Sequence, residues 1–177
     1  MSNSKVFFTS DLHLFHNNIL KFYHQSRQTL DMTEMLKRLL LNWNSKVGKD
    51  DTVFILGDIL LGKNHVDDVK RYLNLLNGNK VLLYGNHDDQ IRENKHDIQS
   101  CFVVCLDYLE QEIDGKYFIM GHYPFASWNK QKYGSINLFG HCHGTFKNLQ
   151  KNQMDVGIDT RNDLNVYSLE EVLEKLK

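Results

Sequence analysis

Short apolar runs alternate with amphipathic stretches through the first half of the chain. Val6 to Thr9 reads as a buried strand, and Thr52 to Leu56 and Lys80 to Tyr84 read as two more. Between them, Asp31 through Trp43 sets Met32, Met35, Leu36, Leu39, Leu40 and Trp43 close to helical spacing. Val66 to Leu76 repeats that period, and Gly78 suits its C-terminal end. This is the rhythm of an α/β protein with a partly parallel sheet. The second half changes character. Phe102 to Leu106, Tyr108 to Ile113, Tyr117 to Met120 and Ile136 to Phe139 all read as strands, and Asp114-Gly115 is a hairpin signal. A second sheet, largely antiparallel, is therefore expected. Ser168 to Leu176 reads as a helix, with Ser168 and Glu171 in capping-box spacing. With no repeat, low-complexity tract or linker, residues 1–177 read as one domain.

Five of these strands run into polar clusters. Val6 to Thr9 leads to Asp11-Leu12-His13, and Val53 to Leu56 leads to Gly57-Asp58. Val81 to Tyr84 leads to Gly85-Asn86-His87-Asp88, Phe118 to Met120 to Gly121-His122, and Ile136 to Phe139 to Gly140-His141-Cys142-His143. Carboxyl ends of sheet strands are where α/β proteins build sites, so the tips predict one convergent site. Asp11, His13, Asp58, Asn86, His122, His141 and His143 offer oxygen and imidazole donors. If the tips are extended, Asp11 shares a face with His13, and His141 with His143. Cys142 then turns away as a packing residue. Seven donors exceed the three or four that a mononuclear zinc site needs. With one bridging carboxylate they suit two divalent ions about 3.5–4 Å apart. Taken singly, each Asp or His is an ordinary turn or surface residue; the conjunction of tips predicts a metal centre.

Composition narrows the partners. Twenty-one basic residues face 22 acidic ones, for a net charge of −1, which disfavours a protein that coats nucleic acid. Lys130, Lys132, Lys147 and Lys151 are too sparse to change that. The longest apolar stretch, Thr52 to Leu61, is interrupted by Asp58, so no membrane span is expected. Cys101, Cys105 and Cys142 are odd in number, which implies reduced thiols; Cys101 and Cys105 sit in an apolar run and read as core. The first residues lead straight into a strand without a secretion signal, so a cytoplasmic protein is expected.

The five blocks, in this order, resemble the calcineurin-like metallophosphoesterase family, whose pattern is D-x-H, G-D, G-N-H-D/E, a later H, and G-H-x-H. The resemblance spans most of the chain and implies two packed mixed β-sheets flanked by helices, with the metal site at the strand ends. It implies one ion held by Asp11, His13 and His143, another by Asn86, His122 and His141, and Asp58 bridging both. It gives His87 a substrate-facing role, stabilising phosphoryl charge and protonating the leaving oxygen. Asp88 reads equally as an orienting acceptor or a turn cap. Two divalent ions, two carboxylates and a bridging hydroxide leave about one positive charge, which attracts an anion, and the hydroxide is the nucleophile. Manganese is the expected metal; Fe, Ni, Co and Zn also suit mixed nitrogen and oxygen ligation.

Departures from subfamilies narrow the substrate. Protein phosphatases continue the second block as G-D-x-x-D-R-G, whereas here it is Gly57-Asp58-Ile59-Leu60-Leu61-Gly62-Lys63. A phosphoprotein is therefore disfavoured, and the chain is similar to the small bacterial and phage-type members. The expected substrate is a small phosphodiester or nucleotide. The alternatives are a nuclease on single-stranded nucleic acid and a non-catalytic scaffold; retention of His87 and all seven ligands argues against the scaffold. His16 and Arg27 are candidate substrate contacts, although an isolated arginine is usually a solvated surface charge. Arg161 follows a strand and turn expected near the site. Trp128 and Tyr133 read as core cover before base-stacking residues. The oligomeric state is not readable from the sequence.

Overall fold

The computed structural model describes residues 4–29 and 31–177. The N-terminal leader reading falls largely on residues 1–3, outside the described residues. The strands and helices are β1 Val6–Thr9, α1 Ile19–Phe22, α2 His24–Arg27, α3 Met32–Lys46, β2 Thr52–Ile55, α4 Val66–Leu75, β3 Asn79–Leu83 and α5 Asp89–Arg92. There follow β4 Val104–Leu106, β5 Leu109–Ile113, β6 Lys116–Met120, β7 Ile136–Phe139, β8 Gln153–Asp155, β9 Tyr167–Ser168 and α6 Leu169–Lys175. They form a five-stranded sheet, β4-β3-β2-β1-β9, packed on a four-stranded sheet, β5-β6-β7-β8.

The first sheet is buried on both faces, which explains its continuous apolar strands. Phe7, Val53, Ile55 and Leu82 point to the helical side, where Met35, Leu39 and Trp43 of α3 and Val69 and Leu73 of α4 meet them. Their neighbours Phe8, Phe54, Val81 and Leu83 point the other way, onto Phe118, Met120 and Leu138 of the second sheet. Phe8 stacks on both Phe54 and Phe118, at 5.6 Å from each, and so joins the sheets. Helix α3 begins where Asp31 accepts from the Glu34 N–H, and α6 begins in the expected Ser168–Glu171 capping box. Trp43 is fully buried and donates its indole N–H to the Asn77 carbonyl. Trp43→Ala should cost about 3–5 kcal/mol, read as a lower urea midpoint with an unchanged slope.

The second sheet corrects one expectation. Only β5–β6, joined by the Asp114-Gly115 turn, is antiparallel; β6–β7 and β7–β8 are parallel. Residues 121–135 and 140–152 carry the chain back across the sheet, so β6 and β7 end on the same side. The Phe102–Leu106 run also belongs elsewhere: its strand, Val104–Leu106, pairs parallel with β3 in the first sheet. The sheets are laced together just beyond β1 by a bridge between Ser10 and Gly157. Among the described residues no helix is long and apolar enough to cross a membrane.

Candidate metal centre

The loops after β1 and β2 stay zipped together. Asp11 N–H donates to the Gly57 carbonyl at 2.9 Å, and His13 N–H to the Asp58 carbonyl at 3.0 Å. The tips are not extended, however. Asp11, His13, Asp58, His141 and His143 all stand in the left-handed region, with φ of 59°, 46°, 57°, 66° and 47°. Asp and His tolerate that region better than most residues, and strain of this kind clusters at functional sites. Two glycines permit the convergence. A Cβ on Gly85 would overlap the Asp58 carboxylate, and one on Gly140 would overlap the Ser10 hydroxyl.

Two groups of donors result. Asp11, His13 and His143 bring ligand atoms within 4.8 Å of one another, and so do Asp58, His122 and His141. Asp58 Oδ2 lies between the groups, 3.7 Å from His13 Nε2 and 3.5 Å from His122 Nε2. Asn86 Oδ1 is 3.0 Å from His122 Nε2. His141 and His143, expected on one face, therefore serve different groups.

The donor chemistry fits divalent metal. His122 Nδ1 donates to the Leu56 carbonyl at 2.7 Å, and His143 Nδ1 to Asp159 Oδ2 at 2.7 Å. Each ring then turns its Nε2 toward acceptor oxygens, where a bound cation would take the place of a proton, the arrangement of a metal-ligating histidine. His13 is buried with neither ring nitrogen hydrogen-bonded, a costly state unless an ion takes up a nitrogen. The same shortage of countercharge marks the ionisation. Burial pushes the Asp11 carboxyl up to about 7, against the opposing pull of His143 and Ser10. Burial pushes His13 down to about 3, against Asp58, leaving it in the neutral ligating form. For Asp58, burial is outweighed by the hydrogen bond and charge of His122 and by the His87 N–H, which hold it at about 2.

Buried carboxylates shape the loops from behind. Asp88 accepts from the backbone N–H groups of Gly85, Asp58 and Ile59 at 2.8–2.9 Å, tying the β2 loop to the β3 loop. It acts as an orienting acceptor rather than a simple turn cap. Asp155 accepts from Gly144 and Gly157 N–H and holds the G-H-x-H loop.

Comparison with known proteins places this geometry. The calcineurin-like phosphoesterase family model matches residues 4–173. The chain belongs to this family. An uncharacterised protein of Methanocaldococcus jannaschii is 32% identical over 168 residues, covering 92% of this chain and 86% of its own. The gene 66 protein of Mycobacterium phage L5 is 27% identical over 184 residues, covering 88% and 87%. A solved structure of a protein of unknown function from Aquifex aeolicus shares the fold, with a TM-score of 0.74 at 23% identity, covering 99% of this chain and all of its own.

The remaining candidate residues lie around these two groups and behind them. His87 sits in a turn, its N–H donating to Asp58 Oδ1 at 2.9 Å and its Nε2 4.0 Å from Asp58 Oδ2. Its side chain is 39% exposed. His16 lies beside the first group, 5.9 Å ring to ring from His13, with a buried and unpartnered Nδ1. Arg27 corrects the solvated-charge expectation. It is buried, paired with Asp159, and faces the back of the site rather than a substrate. Arg161 is tied up by Asp163 and Glu171 and stacks on Tyr167. Tyr133 is 90% exposed and covers no core, whereas Trp128 is half-buried and donates to the Ser135 carbonyl. Cys101 is buried, and Cys105 and Cys142 are half-buried. Sequence reasoning missed Tyr23, stacked on His143 at 4.2 Å, and Tyr123, edge-on to His141 at 4.7 Å. It also missed Asp155 and Asp159 as supports, although their strand and turn were expected nearby.

Proposed function

We propose that this protein is a dinuclear metal-dependent phosphoesterase acting on a small phosphodiester or nucleotide. The observation that carries the reading is Asp58 Oδ2 within 4 Å of an imidazole nitrogen in each of two donor groups. Asp11, His13 and His143 would hold one ion, and Asn86, His122 and His141 the other, with Asp58 shared. When bound, the ions supply Lewis acidity and an activated water for attack at phosphorus. Manganese is the proposed metal.

The chain's own groups account for the rest. His87 is anchored by its backbone to Asp58, which holds its ring over the opening between the groups. An imidazole there donates a proton to the departing oxygen and stabilises charge on the phosphoryl group. Cys101 and Cys142 are pushed to higher pKa by burial, which supports a reaction without a thiolate nucleophile. Asn86 and His141 are exposed and His87 is partly so. An open rim of this kind leaves room for a second ester arm and supports the diester preference.

Exhaustive chelation is expected to abolish hydrolysis and added Mn²⁺ to restore it; full turnover by metal-free protein would falsify the mechanism. The substrate class is tested by offering Mn²⁺-loaded protein monoesters, diesters, cyclic nucleotides and dinucleotides. Single-stranded DNA and RNA serve as competitors. Faster turnover of diesters than of monoesters, without competition by either nucleic acid, is the expected pattern. Strong competition would favour the nuclease instead.

A further inference from the structure

The chemistry proposed above gives no task to Arg27, yet the fold buries it almost completely. Its side chain is 1% exposed and that of Asp159 is 0% exposed. A buried ion pair is weak grounds for stability, because desolvation offsets much of the attraction. This pair, though, spends its hydrogen bonds on one set of donors. Arg27 Nε and Nη2 reach Asp159 Oδ1 and Oδ2 at 2.9 and 2.7 Å, a bidentate pairing. Nη2 also donates to the Asp11 carbonyl at 2.8 Å, and Nη1 to the Leu12 carbonyl at 3.0 Å. Asp159 accepts in turn from Ser26 Oγ at 2.6 Å and from His143 Nδ1 at 2.7 Å. The pair therefore grips the backbone of the Asp11–His13 turn and the ring of His143 together. The second group has other supports: the Leu56 carbonyl behind His122 and the Asp88 cradle behind Asp58.

We infer that Arg27 and Asp159 are positioning residues chiefly for one metal position, that of Asp11, His13 and His143, and reach the other indirectly, through the zipped loops and the Asp11 carboxylate that accepts the His141 N–H at 3.0 Å. The inference rests on the two-ion reading above. Asp159 fixes the His143 tautomer that presents Nε2 to the site, and the Tyr23 stack at 4.2 Å limits rotation of the ring. Arg27 neutralises Asp159 and pins the left-handed turn at Asp11. Lysine lacks the planar fork needed to reach a carboxylate and two carbonyls at once.

The test removes both charges together with Arg27→Met plus Asp159→Leu, which leaves no unpaired buried ion. Mn²⁺ binding is followed by calorimetry and by electron paramagnetic resonance. The expected result is one ion weakened about 10–100-fold with the other changed less than about twofold. The spectrum should pass from a coupled pair to an isolated Mn²⁺ at limiting metal. Equal weakening of both ions, or of neither, overturns the assignment. Should the double variant not fold, Arg27→Lys is followed by the same two measurements. Selective weakening of one ion upholds the inference, and equal weakening of both, or of neither, overturns it. Wild-type protein that takes up fewer than two ions defeats the two-ion reading itself, before any variant is made, and the assignment to one position falls with it.

Discussion

Asp58→Asn is expected to strip the protein of both ions and to slow hydrolysis on the order of 10³-fold, since losing several kcal/mol of charge stabilisation has that effect. The substitution is nearly isosteric. Asparagine can still accept the His87 N–H that Asp58 Oδ1 accepts at 2.9 Å, so the β3 loop should keep its place. What disappears is the anionic oxygen lying 3.7 Å from His13 Nε2 and 3.5 Å from His122 Nε2. Because one atom faces both groups, both positions should weaken together. His13→Ala, by contrast, should weaken chiefly the position shared with Asp11 and His143. Metal content per chain after gel filtration, with turnover on the same sample, is the measurement. An Asp58→Asn protein that still carries two tightly held ions would show that this carboxylate is not shared.

His87→Asn should leave metal content at the wild-type level and reduce turnover in proportion to the difficulty of the leaving group. The ring meets His13 edge-on at 5.6 Å, its Nε2 is 4.0 Å from Asp58 Oδ2, and its side chain is 39% exposed. A general acid contributes about 10²–10⁴-fold where the leaving oxygen is basic. A ribose or alkyl alkoxide needs that proton, whereas p-nitrophenolate departs without it. The variant should therefore lose far more activity on a nucleoside ester than on a p-nitrophenyl ester. Equal losses on both would reject proton donation and leave His87 a charge stabiliser only. Loss of bound metal would place the ring among the ligands.

Most of this site is legible in the chain because its signals are local. A strand followed by Gly-Asp or Gly-His can be read without knowing where the strand lies, and five such tips point to one place. The helices are legible for the same reason: Met35, Leu39 and Trp43 repeat at the period of α3 and are all buried. Strand direction in the second sheet is not local. It depends on the path of residues 121–135 and 140–152, whose polar sequence carries no sign of which way the chain returns. Arg27 looks isolated in sequence because its partner lies 132 residues away, on the 3-10 turn Ile158–Thr160. The left-handed turns were hidden for a different reason. Their residues are those the chemistry already calls for, so the conformational signal of Asp and His is masked by their value as ligands.

Those turns limit how the site can change. At Asp11, His13, Asp58, His141 and His143 the backbone, as well as the donor atom, selects the residue. A left-handed φ costs of order 1–3 kcal/mol for residues poorly suited to it, and aspartate, asparagine and histidine are the side chains best able to occupy it. Exchange within that small set, aspartate for histidine or histidine for asparagine, keeps the loops and alters the charge of the donor groups. A cysteine or glutamate at the same position must first be forced into its backbone slot. A thiolate-rich centre selective for soft metals is thus several unfavourable steps away by point substitution. A library aimed at new metal preference would do better to vary the supporting positions, such as Tyr23 and Ser26, than the ligands themselves.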